Sequence, residues 1–190
     1  MSLSRRSLLG MGGVALASAA SLSFTARALA APSLIGLKAL NVRTLSFDCT
    51  NTGEQLNGVD YWVEGKYVPD ALAEIDDALR DYRSDEVYPI APNLLDLLYQ
   101  LGRRLDSDCR FELTSGYRSP ETNAMLHELD SGVAASSLHM KGQAADISLP
   151  GRPLRKVYET ALAMRLGGVG YYPDDDFLHV DIGRVRRWEG

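Results

Sequence analysis

Ser137-Leu138-His139-Met140-Lys141-Gly142-Gln143-Ala144-Ala145-Asp146 runs from a loop into a short strand, and the rest of the chain is read outward from that junction. The strand covers 144–149 and is stopped by Pro150-Gly151. Side chains alternate along a strand, so Ala145, Ile147 and Leu149 share an apolar face while Asp146 and Ser148 take the other. A second short strand, 177–182, has the same design. Leu178, Val180 and Ile182 form its apolar face, and Phe177, His179 and Asp181 lie opposite. If the two strands are neighbours, Asp146 and His179 project from one side of one sheet, and His139 on the entering loop closes a triangle. Two neutral imidazoles and a carboxylate are the ligand set of an open zinc site, with a fourth position left for water. The third histidine of the chain, His127, sits between Leu126 and Glu128 on a predicted helix and reads as a surface or groove residue.

The flanking sequence predicts an α+β fold, a small antiparallel sheet with flanking helices. Positions 43–50 alternate apolar and polar residues, the turn-rich 51–54 and Asn57-Gly58 follow, and 59–68 reads as the partner strand of a hairpin. Pro69-Asp70 opens a helix with Leu72, Ile75 and Leu79 on one face and Tyr82 at its end. Positions 92–105 predict a second helix, whose broad leucine stripe (Leu94, Leu95, Leu98, Leu101, Leu105) is core packing. A strand at 110–114 leads through Ser115-Gly116-Tyr117-Arg118-Ser119 into a third helix that begins at Pro120 and ends near Asp130-Ser131-Gly132. A fourth helix, 154–166, is closed by Gly167-Gly168. Strands 169–172 and 177–182 are joined by a turn at Pro173-Asp174-Asp175.

The N-terminus is a different kind of segment. Ser4-Arg5-Arg6-Ser7-Leu8-Leu9 is a twin-arginine pattern, an apolar small-residue stretch follows, and Ala28-Leu29-Ala30 offers a cleavage site. The reading is a signal peptide over 1–30, one working domain over 31–190, and a periplasmic location. The leader carries three arginines and no acids, so its removal shifts the formal charge from −5 to about −8 and argues against nucleic acid as a partner. No later segment is long and apolar enough to cross a membrane. Cys49 and Cys109 lack zinc-site spacing; in an oxidising compartment they could pair.

Taken together, Ser-x-His-x-x-Gly-x-Ala-x-Asp at 137–146 and His-x-Asp at 179–181 resemble the D-Ala-D-Ala metallopeptidases, a group that includes lysostaphin-type enzymes and the hedgehog signalling domain. Ser-Gly-Tyr-Arg-Ser at 115–119, Gly-Val-Gly-Tyr-Tyr-Pro at 168–173 and Arg-Asp-Tyr-Arg at 80–83 narrow the likeness to the murein endopeptidase K family, from about Arg43 to Trp188. The resemblance implies a zinc peptidase acting on peptidoglycan stem peptides, with His139, Asp146 and His179 as zinc ligands. It implies that Arg118 faces the metal and stabilises an oxyanion, as a guanidinium aimed at developing charge does. Many relatives carry an acid three residues before the last histidine ligand, which makes Asp176 the candidate general base. Asp181 is its rival, as base or as a partner that orients a ligand. Two alternatives remain at this point: a carboxypeptidase trimming terminal D-amino acids, and a cell-wall binding module with a structural zinc.

Overall fold

The computed structural model describes residues 41–129 and 132–190. The expected signal peptide and cleavage site, and the predicted end of the third helix at 130–131, lie outside the described residues. The strands are β1 (Val42–Cys49), β2 (Gln55–Val63), β3 (Lys66–Tyr67), β4 (Arg110–Ser115), β5 (Ala144–Ser148), β6 (Gly168–Tyr172), β7 (Phe177–Asp181) and β8 (Arg186–Glu189). The helices are α1 (Pro69–Ala78), α2 (Pro92–Arg104), α3 (Pro120–Leu129) and α4 (Leu154–Met164), and a 3-10 turn spans Leu138–Lys141.

The α+β class expected from the sequence is what the structure has, but the sheet is neither small nor wholly antiparallel. It has eight strands in the order β3-β2-β1-β4-β5-β7-β6-β8. Two neighbouring pairs, β1–β4 and β6–β8, are parallel. Connectivity permits the first: β2, β3, α1 and α2 lie between β1 and β4, a connection long enough to bring the chain back in the same direction. The second arises because β6 and β7 form a hairpin, after which the chain comes back along the outer edge of β6 as β8. Strand β8 has no clear alternation in its sequence and was not predicted.

The predicted partner strand at 59–68 is two strands, β2 and β3, separated by a turn in which Glu64 and Gly65 both have positive φ (46° and 91°). Asn57-Gly58 is not a turn. It lies inside β2, where the pairing passes from Leu45↔Val59 to Phe47↔Leu56, a bulge that absorbs an extra residue. Helix α1 stops four residues before the predicted Tyr82. The chain there is diverted into a tight turn closed by a bridge between Asp81 and Glu86.

The core lies where the apolar strand faces meet the helices. Leu45, Phe47, Phe111, Ile147, Leu178 and Val180 are sealed against Leu94, Leu98 and Leu101 of α2 and Val157 of α4. Burying side chains of this size is worth about 1.5–3 kcal/mol each. It also holds β5 and β7 in register, because a slip of one residue would expose every one of them. The opposite faces of β5 and β7 therefore carry Asp146, His179 and Asp181, all buried. The two cysteines are free. Cys49 Sγ points to the Ala78 carbonyl (3.4 Å) and Cys109 Sγ to that of Tyr99 (3.6 Å). Burial pushes the Cys49 thiol up to about 11, which makes it a poor nucleophile. No helix among the described residues is long and apolar enough to cross a membrane.

Asp81 is the buried polar anchor of the fold at 1% exposure. It accepts hydrogen bonds from the Ser119 backbone N–H and hydroxyl (2.8 Å each) and from the Arg83 N–H (3.0 Å). Those bonds fix the residue that follows Arg118 and precedes α3. Burial opposes ionisation of Asp81, but the Thr122 hydroxyl, the Ser119 N–H and the Arg83 N–H favour the carboxylate and hold its pKa below the usual range. The folded-state value thus lies below the unfolded value of about 3.9. Its stabilisation is complete above that value and is lost as pH falls through the folded one. Asp81→Asn should cost about 1–3 kcal/mol at pH 7 in urea unfolding, and the difference from the parent protein should shrink below about pH 4. A difference that stays constant down to pH 3 would show that the charge of Asp81 contributes nothing.

Candidate metal centre

The pairing of β5 with β7 places Asp146 directly opposite His179. His139 reaches them from the 3-10 turn, which begins at Ser137, whose hydroxyl accepts from the His139 N–H (3.3 Å). Gly142 ends that turn in the left-handed region at φ 60°, and a Cβ there would lie 2.2 Å from the Pro89 carbonyl oxygen. The glycine in the 137–146 motif is thus a steric requirement for bringing the loop back into β5. His139 is 1% exposed, Asp146 3% and His179 9%.

Three donor atoms converge. His139 Nε2 lies 3.2 Å from Asp146 Oδ1 and 3.1 Å from His179 Nδ1, and His179 Nδ1 lies 3.0 Å from Asp146 Oδ1. Ligand atoms about 2.0–2.1 Å from a tetrahedral ion stand about 3.3 Å apart, so the triangle is close to the size such an ion needs. The far nitrogens of both rings are already engaged. His139 Nδ1 donates to the Gly116 carbonyl (2.6 Å), and His179 Nε2 to Asp181 Oδ2 (3.0 Å). Those bonds set the tautomers that turn the lone pairs of Nε2 in His139 and Nδ1 in His179 toward Asp146. Lone pairs gathered around a carboxylate in a buried site call for a cation, and the donor set fits a divalent metal. Among the described residues no fourth histidine, cysteine or carboxylate joins the group.

The electrostatics agree. Burial drives the His139 pKa down, toward the neutral ring a metal ligand must be. Burial alone would raise the Asp146 pKa, but His139, His179 and the Arg118 guanidinium hold it well below the usual carboxylate range. His179 is also disfavoured as a cation by burial, yet Asp146 and Asp181 on its two sides raise its pKa. In that position a proton and a metal ion compete for one lone pair.

Arg118 donates from Nη2 to Asp146 Oδ2 and from Nε to the Ser115 hydroxyl (2.8 Å). It lines a cleft of about 400 Å³ together with the triad and Ser137, Tyr172, Asp175 and Phe177. Asp181 is fully buried behind His179 and accepts from the Gly168 and Gly183 N–H groups (3.0 and 2.8 Å) as well as from Arg186. It orients a ring and has no open path to a substrate.

The structure does not bring Asp176 to the triad. Asp176 lines a separate depression with Glu112, Ser148 and Arg152. Its backbone is left-handed at φ 54° in the turn just before β7, and it does not line the cleft that holds the triad. The neighbouring Asp175 lines the cleft instead. His127 is bound through Nδ1 to the Val133 carbonyl (2.6 Å) and is not part of the metal group. Sequence reasoning missed Arg186 and Trp188, which also line the cleft. The one signal that could have found them is the Gly-x-Gly at 168–170, which leaves room beside β6.

A mixed sheet that gathers two imidazoles and a carboxylate at the floor of a cleft, with a guanidinium at their side, defines a metal-dependent peptidase centre. The chain belongs to the family described as peptidoglycan L,D-endopeptidase MepK, whose model matches residues 37–188. It is 39% identical over 184 residues to the peptidoglycan L,D-endopeptidase MepK of Escherichia coli (strain K12), covering 97% of this chain and 96% of that protein. It is 42% identical over 149 residues to the probable peptidoglycan L,D-endopeptidase MepK of Haemophilus influenzae, covering 78% of this chain and 80% of the relative. No solved structure matches the chain. The family expected from the motifs is the family the comparisons show.

Proposed function

We propose that this protein is a zinc-dependent endopeptidase that hydrolyses peptide cross-links of peptidoglycan, with the L,D specificity that the names of its relatives carry. The observation that carries the reading is the triangle of His139 Nε2, Asp146 Oδ1 and His179 Nδ1 at 3.0–3.2 Å, with no fourth protein ligand among the described residues. A structural zinc would be closed by four protein ligands, whereas three leave the position that chemistry needs. When bound, the zinc supplies Lewis acidity, polarising the scissile carbonyl and making a water acidic near neutral pH.

The residues of the chain do the rest. Arg118 is held by Asp146 and Ser115 with one edge in the cleft, where it receives the carbonyl oxygen as negative charge builds on it. Asp175 lines the cleft and its side chain makes no hydrogen bond or ion pair among the described residues, so its oxygens can accept a proton from the attacking water and return it to the leaving nitrogen. Asp181 holds the His179 tautomer. We assign residues 1–30 to twin-arginine export, 31–190 to the working domain in the periplasm, and the fold to the hedgehog-like group; the leader motif and the ligand spacing support these assignments.

The test is digestion of cross-linked muropeptides by the purified protein, with products read by mass spectrometry. Dimers should fall to intact monomers, cleavage should stop when a chelator strips the metal, and stoichiometric zinc should restore it. Cleavage that continues in protein shown to be metal-free would overturn the zinc reading. Release of single terminal residues in place of monomers would make the protein a carboxypeptidase.

A further inference from the structure

The last strand of the chain reaches the metal centre across two glycines. Strand β8 lies beside β6 with Gly168 opposite Arg186 and Gly170 opposite Trp188. On its other side β6 pairs with β7, with Gly170 opposite His179. Two rows therefore cross three strands: Trp188, Gly170 and His179 in one, Arg186, Gly168 and Asp181 in the other. In each row the middle residue has no side chain, and the outer one leans over it. A Cβ at Gly168 would lie 2.3 Å from Arg186 Nη1 and 2.5 Å from Asp181 Oδ2. A Cβ at Gly170 would lie 2.6 Å from Trp188 Cε2. Either Cβ would force the side chain lying over it to shift, so each glycine is a passage for the side chain of the outer strand.

What passes through reaches the ligand shell. Arg186 grips both oxygens of Asp181, Nη1 to Oδ1 at 3.1 Å and Nη2 to Oδ2 at 2.7 Å. Asp181 in turn accepts from His179 Nε2 at 3.0 Å. The indole of Trp188 packs against the His179 ring with centroids 5.1 Å apart, and its Nε1 donates to the Tyr172 hydroxyl at 2.8 Å. The Arg186 guanidinium lies 4.8 Å from the Trp188 ring, so the two side chains brace each other. A bidentate guanidinium fixes the plane of the carboxylate it binds, and that plane decides where the hydrogen-bonded imidazole points.

We infer that Arg186 is a positioning residue for His179, acting through Asp181, and that the Gly168 and Gly170 gaps with the Trp188 wall exist to let the C-terminal strand set the affinity of the triad for its metal. This rests on the triad being the metal centre. Partners that orient a metal-bound histidine typically contribute 10–100-fold in metal affinity or activity. Arg186→Gln should thus bind zinc about 10–100-fold more weakly in competition with a chromogenic chelator. Once saturated with zinc it should lose kcat with little change in KM. Arg186→Lys, which keeps the charge, should recover part of the affinity. Gly170→Ala, which displaces Trp188 and leaves Arg186, Asp181 and His179 unsubstituted, should also weaken zinc binding. Arg43→Gln, which breaks an ion pair between β1 and Asp96 of α2, controls for loss of stability and should keep the parental zinc affinity.

Zinc affinity unchanged in both Arg186→Gln and Gly170→Ala would overturn the inference, whatever happens to activity. A rise in KM alone would instead make Arg186 a substrate contact and overturn it as well. Should Arg186→Gln fail to fold, the Gly170→Ala affinity decides. If the parent protein itself binds no zinc, the proposed function falls first and takes this inference with it, an outcome distinct from a tight parent with unaltered variants.

Discussion

His139→Ala should abolish cleavage of cross-linked muropeptides, with a loss of at least about a thousand-fold. Metal catalysis of acyl transfer is worth several kcal/mol, and each 1.36 kcal/mol is a factor of about ten in rate. The substitution leaves one imidazole and one carboxylate, fewer than the three protein ligands of catalytic zinc sites. It also strips the Gly116 carbonyl of the ring N–H that meets it at 2.6 Å, and unpairs one side of a buried Asp146. The variant should purify without stoichiometric zinc, as elemental analysis would show. The cost to folding should be smaller, because the apolar faces of β5 and β7 that hold the sheet do not include His139. Near-parental turnover in the alanine variant would remove His139 from the site.

Asp175→Asn should lower kcat by about 10²–10⁴, the usual contribution of a positioned general base, while zinc affinity stays at the parental level. Asp176→Asn should leave kcat within a few-fold. The contrast follows from where the turn places the two residues: Asp175 lines the cleft with Phe177 and His179, whereas Asp176, left-handed at φ 54° just before β7, lines the depression beside Arg152. Asp175 stands on the cleft rim, and amidation removes its basicity at almost constant shape. The reverse ranking of the two variants, measured by initial rates on a defined dimer, would return the role to Asp176.

That pair of neighbours also shows where reading by spacing stops. Counting three residues back from His179 leads to Asp176, and the count is right along the chain. In space the turn is still in progress at position 176, with a left-handed backbone there, and the residue that lines the cleft is Asp175. Turn torsions of this kind are settled by packing at both ends of the hairpin, here the stacked Tyr172 and Phe177 rings 4.6 Å apart, and no local pattern announces them.

Alternation of apolar and polar residues in 144–149 and 177–182 was enough to put Asp146 and His179 on polar faces, and the shared motifs were enough to name the family. These are short-range properties: burial selects one face of each strand, and a buried carboxylate needs partners wherever the strand lies. The leader proposed at 1–30 rests on the sequence motif alone. The tertiary structure decided which strands are neighbours. It made β1 and β4 parallel across two intervening helices, placed β5 beside β7 in register, and laid β8 along β6 so that Arg186 and Trp188 reach over glycines to Asp181 and His179. The β1–β4 and β5–β7 pairings join residues far apart in the chain, and their free energy comes from a core formed jointly by helices and strands, so they exist only once the sheet has assembled.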